Sequence, residues 1–192
     1  MTNILIINGH PNKESFNHAV AAAYRSGALK TGALVRQINI SDLNFNPNLA
    51  YGYTKRMNLE PDLLESLEKI KAADHLVWIH PIWWGGMPAI MKGFIDRLFL
   101  PGLTFRHREN SIWWDKLLTG KTARIITTMD QPAWYYRFFY GNPSIRQLKK
   151  CTLEFCGVRP VKVSTIGIIK TASPEQRQKW LDKIQLLGEQ QK

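Results

Sequence analysis

Five short apolar-rich runs punctuate the chain, at residues 3–8, 33–40, 75–80, 122–127 and 160–168. Runs of this length predict strands, and the first, continuously apolar up to Asn8-Gly9, has the pattern of a strand buried on both faces in a parallel sheet. The stretches between them predict helices. Residues 15–30 are alanine-rich and stop before Gly32, and residues 61–73 open with Pro61-Asp62, a first-turn proline and an acid suited to the positive end of the helix dipole. Pro88 begins a third helix that runs to residue 99. Asn142-Pro143 begins a fourth, which ends near Cys156-Gly157, and Ser173-Pro174-Glu175-Gln176 opens the last with a capping-box Ser and Gln. Residues 41–53 read as turns, 101–120 as an irregular insertion and 128–141 as a long aromatic loop. With no repeat, low-complexity tract or linker, residues 1–192 are expected to form one domain.

Strands alternating with helices predict an α/β fold, a doubly wound five-stranded parallel sheet with helices on both faces, because right-handed crossovers place helices on either side. Ligands in such folds bind beyond the carboxyl ends of the strands, at the point where the strand order reverses. The loops after the first, third and fourth strands open there.

Each of these loops has unusual chemistry. The first, Asn8 to Asn17, enters a helix N-terminus, where free N–H groups favour phosphate, and Ser15 and Asn17 can add side-chain hydrogen bonds. A simple helix cap at Ser15 is the alternative. The second, His80-Pro81-Ile82-Trp83-Trp84-Gly85-Gly86-Met87-Pro88, sets two flat side chains beside glycines that let a ligand approach the backbone, although such tryptophans can also seal a core. The third, Thr127-Thr128-Met129-Asp130, leads into Trp134-Tyr135-Tyr136. A phosphate site, a planar surface and hydroxyl or backbone donors at one sheet edge together describe a flavin nucleotide. No Walker-type Gly-Lys-Ser/Thr sequence and no Gly-x-Gly-x-x-Gly follows any strand, so a separate Rossmann-type nicotinamide site is not expected.

Composition narrows the setting. Hydrophobic residues make up 44 % of the chain and aromatics 11 %, enough for a packed core. No run of eighteen apolar residues suggests a membrane span, and Met1-Thr2-Asn3 runs straight into the first strand without the features of an export signal. Cys151 and Cys156, the only cysteines, fit neither a zinc pair nor a Cys-x-x-Cys motif, so no metal site and a reducing, cytoplasmic setting are expected. The net charge of +11 raises the question of polyanionic partners. Its longest basic runs are pairs such as Lys149-Lys150, so no nucleic-acid partner is expected and a basic surface that attracts anionic cofactors is favoured.

These motifs resemble the flavodoxin-like NAD(P)H:quinone oxidoreductases, the family that includes DT-diaphorase, the bacterial modulator of drug activity and ancillary subunits of potassium efflux systems. The resemblance rests on His10 through Ala19, Asn44-Phe45-Asn46-Pro47, Pro81 through Phe99 and Phe155-Cys156-Gly157. It implies a flavodoxin-like fold and hydride transfer from NADPH or NADH, through bound FAD or alternatively FMN, to a quinone or similar two-electron acceptor. By the same resemblance His10, Phe16, Asn17 and Ala19, with Ser15 among them, hold the phosphate arm, and Pro81, Ile82, Trp83, Trp84 and Gly85 line the ring. Thr127 and Thr128 match the family's Thr-Thr, while Met129 and Asp130 replace the two glycines that usually follow. The Asp130 carboxylate is expected to point away and leave only backbone near the ring. Tyr135 falls at the place of the active-site tyrosine; the companion histidine has no match, with Gly141 near its place. Of the residues that could meet an adenosine, only Arg177 is suggestive. The family implies a homodimer with the site at the subunit interface; the aromatic insertion around Trp113-Trp114 is a candidate contact, with packing inside the chain as the alternative. The alternative is a flavin-binding regulatory subunit docked by its basic surface on a membrane potassium efflux system. A one-electron flavodoxin carrier fits least, since such carriers are acidic.

Overall fold

The computed structural model describes residues 1–191. Asn3–Asn8 forms β1, Leu34–Asn39 β2, His75–Pro81 β3, Thr122–Thr128 β6 and Val161–Ile166 β7, and these five pair in parallel in the order β2-β1-β3-β6-β7. The order reverses beside β1, where the chain crosses from β2 to β3. Helices α1 (Phe16–Lys30) and α7 (Pro174–Glu189) cover one face; α2 (Pro61–Ala72), α3 (Ala89–Leu98) and a helical stretch from Pro143 to Cys156 cover the other.

Strand alternation divides the core accordingly. Ile4 and Ile6 of β1 pack with Val20, Ala21 and Tyr24 of α1, while Leu5 and Ile7 face Leu63, Leu67, Phe94 and Leu98. On the first face α1 and α7 cross through two glycines. A methyl group on Gly27 would collide with the Gln185 carbonyl oxygen, and one on Gly188 with the Tyr24 carbonyl oxygen, so the backbones meet where only hydrogen fits.

Three segments differ from the sequence expectation. Residues 101–120 are not irregular: Phe105–His107 (β4) and Trp114–Lys116 (β5) pair antiparallel in a separate ribbon. The aromatic loop contains a helix, α4, at Ala133–Phe138. The helix after it, α5 (Pro143–Arg146), passes through a π-helical segment at Gln147–Leu153 before the last turn, α6, at Glu154–Cys156. Trp114 packs within the chain, stacked on Phe155 at 4.2 Å between ring centroids with its indole N–H donating to the Phe155 carbonyl oxygen. Trp113 is exposed.

The long connection between β2 and α2 is anchored rather than loose. The buried Arg97 guanidinium pairs with the Glu60 carboxylate at 2.8 Å and donates to the carbonyl oxygens of Asn46 and Asn58. No described helix is long and apolar enough to cross a membrane.

Candidate active site

A cleft of about 170 Å³ opens at the carboxyl ends of β1, β3 and β6. His10, Ser15, Phe16 and Asn17 form one wall, Pro81, Ile82 and Trp83 a second, and Thr128, Met129 and Asp130 a third. All three loops singled out by the sequence therefore meet in one cavity. Ile169, from the loop after β7, completes the lining.

The first wall is the open end of α1. Ser15 has the extended backbone of an N-cap, yet its side chain makes no cap hydrogen bond, and no acidic residue lies in the first turn. The buried Ser15 Oγ, Asn17 Nδ2 and His18 Nε2 have no partner among the described residues. Buried polar atoms are almost always satisfied. Unpaired donors at a helix N-terminus with an uncompensated dipole are what a phosphate would complete. Asn17 is fixed in place because its Oδ1 accepts from the Thr128 hydroxyl at 2.7 Å, which leaves the amide N–H₂ to serve a ligand. His10 has its pKa lowered, chiefly by burial, and its Nδ1 accepts from the Asn12 N–H.

The ring loop is a tight turn. Trp83 and Gly86 exchange backbone hydrogen bonds in both directions, and Trp84 and Gly85 both have positive φ, 49° and 75°. Glycine suits the second of these positions, and tryptophan tolerates the first at a cost. The consequence is that Trp83 lines the cleft, edge-on to His10, whereas Trp84 stands wholly in solvent.

A chain of hydrogen bonds fixes this turn from behind. The Tyr136 hydroxyl donates to the Gly85 carbonyl oxygen at 2.8 Å and accepts from the Ser144 N–H at 3.0 Å. The Ser144 hydroxyl in turn meets His80 Nε2 at 3.1 Å. Burial pushes the His80 pKa down to about 3 and raises that of Tyr136, so the network is uncharged near neutral pH.

On the third wall, adjacent strand residues point to opposite faces. Thr128 reaches the cleft, but the Thr127 hydroxyl is directed to Thr165 at 3.4 Å and does not line the cavity. The Asp130 carboxylate accepts from the Lys170 N–H at 2.8 Å. The Met129 N–H is spent on the Ile166 carbonyl oxygen, so the Asp130 N–H is the backbone donor on this edge without a partner among the described residues.

Ala19, Trp84, Gly85 and Tyr135 also lie outside the cavity lining. Tyr135 is half-buried in α4, stacked on Phe139 at 4.7 Å, and its hydroxyl has no partner among the described residues. Arg177 is engaged elsewhere: its guanidinium sits over the Phe16 ring and donates to the carbonyl oxygens of Ile169 and Ala172. Ile169 was not anticipated, because Gly167-Ile168-Ile169 reads as the end of a strand. The left-handed φ of Ile168, 63°, is unusual for a β-branched residue and turns the chain back toward the cleft.

A larger cavity, about 290 Å³, lies on the other side of α3 between Tyr53, Met87, Ile95, Cys151 and Phe155. Its apolar walls carry none of the unpaired donors found at the α1 end.

The flavodoxin-like fold profile matches residues 2–186. The chain belongs to that family. An uncharacterized NAD(P)H oxidoreductase of Haemophilus influenzae is 26 % identical, with 94 % of this chain and 91 % of the relative aligned. NAD(P)H dehydrogenase [quinone] 1 of Rattus norvegicus is also 26 % identical, over 90 % of this chain and 71 % of the relative. A Streptococcus mutans protein of known structure superposes with a TM-score of 0.85 and 34 % identity, covering 98 % of this chain and all of its own.

Proposed function

We propose that this protein is a flavin-dependent NAD(P)H oxidoreductase that passes two electrons to a quinone or similar acceptor. The observation that carries this reading is the set of unpaired donors, Ser15 Oγ and Asn17 Nδ2, at the open end of α1 in the cleft flanked by Trp83 and Met129. Quinone and NAD(P)H oxidoreductase names among the relatives agree with it.

The donors fit a flavin phosphate arm, and Trp83 offers a planar surface for the ring. A bound flavin supplies the hydride chemistry, while the protein supplies position and charge. Ser15, Asn17 and the first N–H groups of α1 hold the phosphate; Thr128 orients Asn17; the Asp130 N–H faces the polar edge of the ring. The carboxylate of Asp130, although its residue lines the cleft, is drawn toward the loop after β7 by the Lys170 backbone N–H. Tyr135 is assigned as the donor to oxygen on the flavin or acceptor. FAD is the first choice by family resemblance; the observation that favours the alternative, FMN, is that the Arg177 guanidinium is occupied by carbonyl oxygens and offers no free contact to an adenosine. A homodimer is proposed, with the exposed Trp113 on the β4-β5 ribbon at the contact.

The test is reconstitution followed by turnover. The protein should take up one equivalent of FAD or FMN and oxidise NADH or NADPH with a soluble quinone. In Tyr135→Phe the flavin content should be unchanged and stopped-flow flavin reduction slower by about tenfold or more. Failure to bind either flavin overturns the proposal; an unchanged reduction rate removes Tyr135 from it.

A further inference from the structure

α4 is a six-residue helix that buries one aromatic ring and exposes several. Tyr136 faces inward, while Trp134, Phe138 and Phe139 are 59 %, 73 % and 69 % exposed, with Tyr140 beside them. The rings touch one another: Trp134 and Tyr135 each pack on Phe139, and the Arg137 guanidinium lies over Phe138. Solitary exposed apolar residues are ordinary, but a contiguous aromatic surface of this kind marks a contact with something less polar than water.

The charge around the patch identifies what that is. The structure places Arg137 and Lys149 in one groove with the rings and Arg146 beside Gly141, and from residue 131 to 153 the chain carries Arg137, Arg146, Lys149 and Lys150 and no acid, with Asp130 just before and Glu154 just after. Positive excess arises here because acids are nearly absent, rather than because bases are clustered, which is why no basic run stands out in the sequence. Glu154 is itself occupied by Lys150 and Lys149. Arg137 and Lys149 line one groove with Trp134, Phe138 and Val163, so cations and rings share a surface.

We propose that α4 and its basic surround dock the protein on an anionic lipid bilayer. Aromatic rings set among Lys and Arg suit the headgroup boundary, where rings enter the acyl edge and cations meet lipid phosphates. A two-fold contact with a second copy would set the same cations against themselves, which the bilayer does not. The docking rests on this patch alone. Its consequence for acceptor choice rests on the proposed function: α4 carries Tyr135, so the flavin site would open toward the membrane and favour a lipophilic quinone held there.

The experiment is co-sedimentation of the full chain with vesicles of phosphatidylcholine alone and of equimolar phosphatidylcholine and phosphatidylglycerol. Binding is expected only to the second, weakening as salt rises. Arg137→Glu should reduce partitioning by about fivefold or more. Phe138→Ala should reduce it by about tenfold. Both side chains are exposed, and thermal melting would verify that each variant folds. No binding to the anionic vesicles, or binding by both variants equal to that of the parent protein, overturns the proposal. So does conversion of a dimer to a monomer by Phe138→Ala in sedimentation velocity, which would assign the patch to a second copy, or loss of single-stranded DNA binding in that variant, which would assign it to nucleic acid. Flavin uptake and soluble-quinone turnover, measured on the same preparations, separate this outcome from failure of the proposed function.

Discussion

The two sides of the cleft are held by opposite means. Behind the phosphate side, α1 is locked by apolar packing, with Val20, Ala21 and Tyr24 fully buried against the sheet and α7 pressed on Gly27. Its donors at the cleft, Ser15 Oγ and Asn17 Nδ2, are left unpaired, and one acceptor, Asn17 Oδ1, is held by the Thr128 hydroxyl. Behind the ring side, the Trp83-Trp84-Gly85-Gly86 turn is held through one phenol, Tyr136, which spends its hydrogen bonds on structure while the neighbouring aromatics stay uncovered. Packing frees polar groups for a ligand; a polar tie consumes them. On the proposed function, the side that would bind charge is therefore the one whose donor atoms are not spent on holding it in position.

The largest expected effect breaks the phosphate side. Asn17→Ala removes both the amide offered to the ligand and the acceptor for Thr128, and hydrogen bonds to charged groups contribute about 1.5–3 kcal/mol. Flavin affinity should fall by about ten- to a hundredfold, measured by fluorescence titration, with a smaller loss of melting temperature from the unpaired Thr128 hydroxyl. The reverse pattern would show Asn17 to be a structural residue.

Tyr136→Phe tests the other side. Two hydrogen bonds are lost, and the partly buried Gly85 carbonyl and the buried Ser144 N–H are left without that partner, at about 1–3 kcal/mol of folding stability. Melting should show the loss, and the flavin absorption band should shift as the turn loosens. An unaltered melting temperature would mean that the tie carries no load.

The smallest effect sharpens the contrast between two adjacent tryptophans. Trp83→Ala should weaken flavin binding by about tenfold or less, since an aromatic contact is worth about 0.5–1.5 kcal/mol beyond its area. Trp84→Ala, at an exposed position, should change the affinity of the isolated protein by under about twofold, within the usual ±0.5 kcal/mol of surface changes. Equal losses in the two would show that Trp84 folds back over the ring when it is bound.

The sheet was legible because each strand is a short apolar-rich run, stopped by Gly, Pro or Asn in every case but β6, a local signal that tertiary packing does not have to supply. β4 and β5 were not, since Phe105-Arg106-His107 and Trp114-Asp115-Lys116 are three residues each and become strands only by pairing. α4 was missed for a different reason: Trp134-Tyr135-Tyr136-Arg137-Phe138-Phe139-Tyr140 is aromatic nearly throughout and shows no helical phase. Within the site, the three loops could be read from the residues, but the direction of each side chain could not. Thr127 and Thr128 are adjacent in a strand, so alternation alone already required that one of them face away. The outward placement of Trp84 follows from the positive φ of the turn, which the Gly-Gly pair hints at without assigning.

The glycine crossing of α1 and α7 also orders the assembly of the chain in time. Synthesis delivers α1 near the beginning, but the surface that Gly27 presents has no counterpart until Gly188 and its neighbours have emerged. β7, the edge strand whose exit loop contributes Ile169, comes late as well. The emerging polypeptide thus carries its phosphate loop long before it can hold that loop rigid. On the proposed function, cofactor loading would be one of the last events in maturation, coupled to completion of a helix that does not line the cleft.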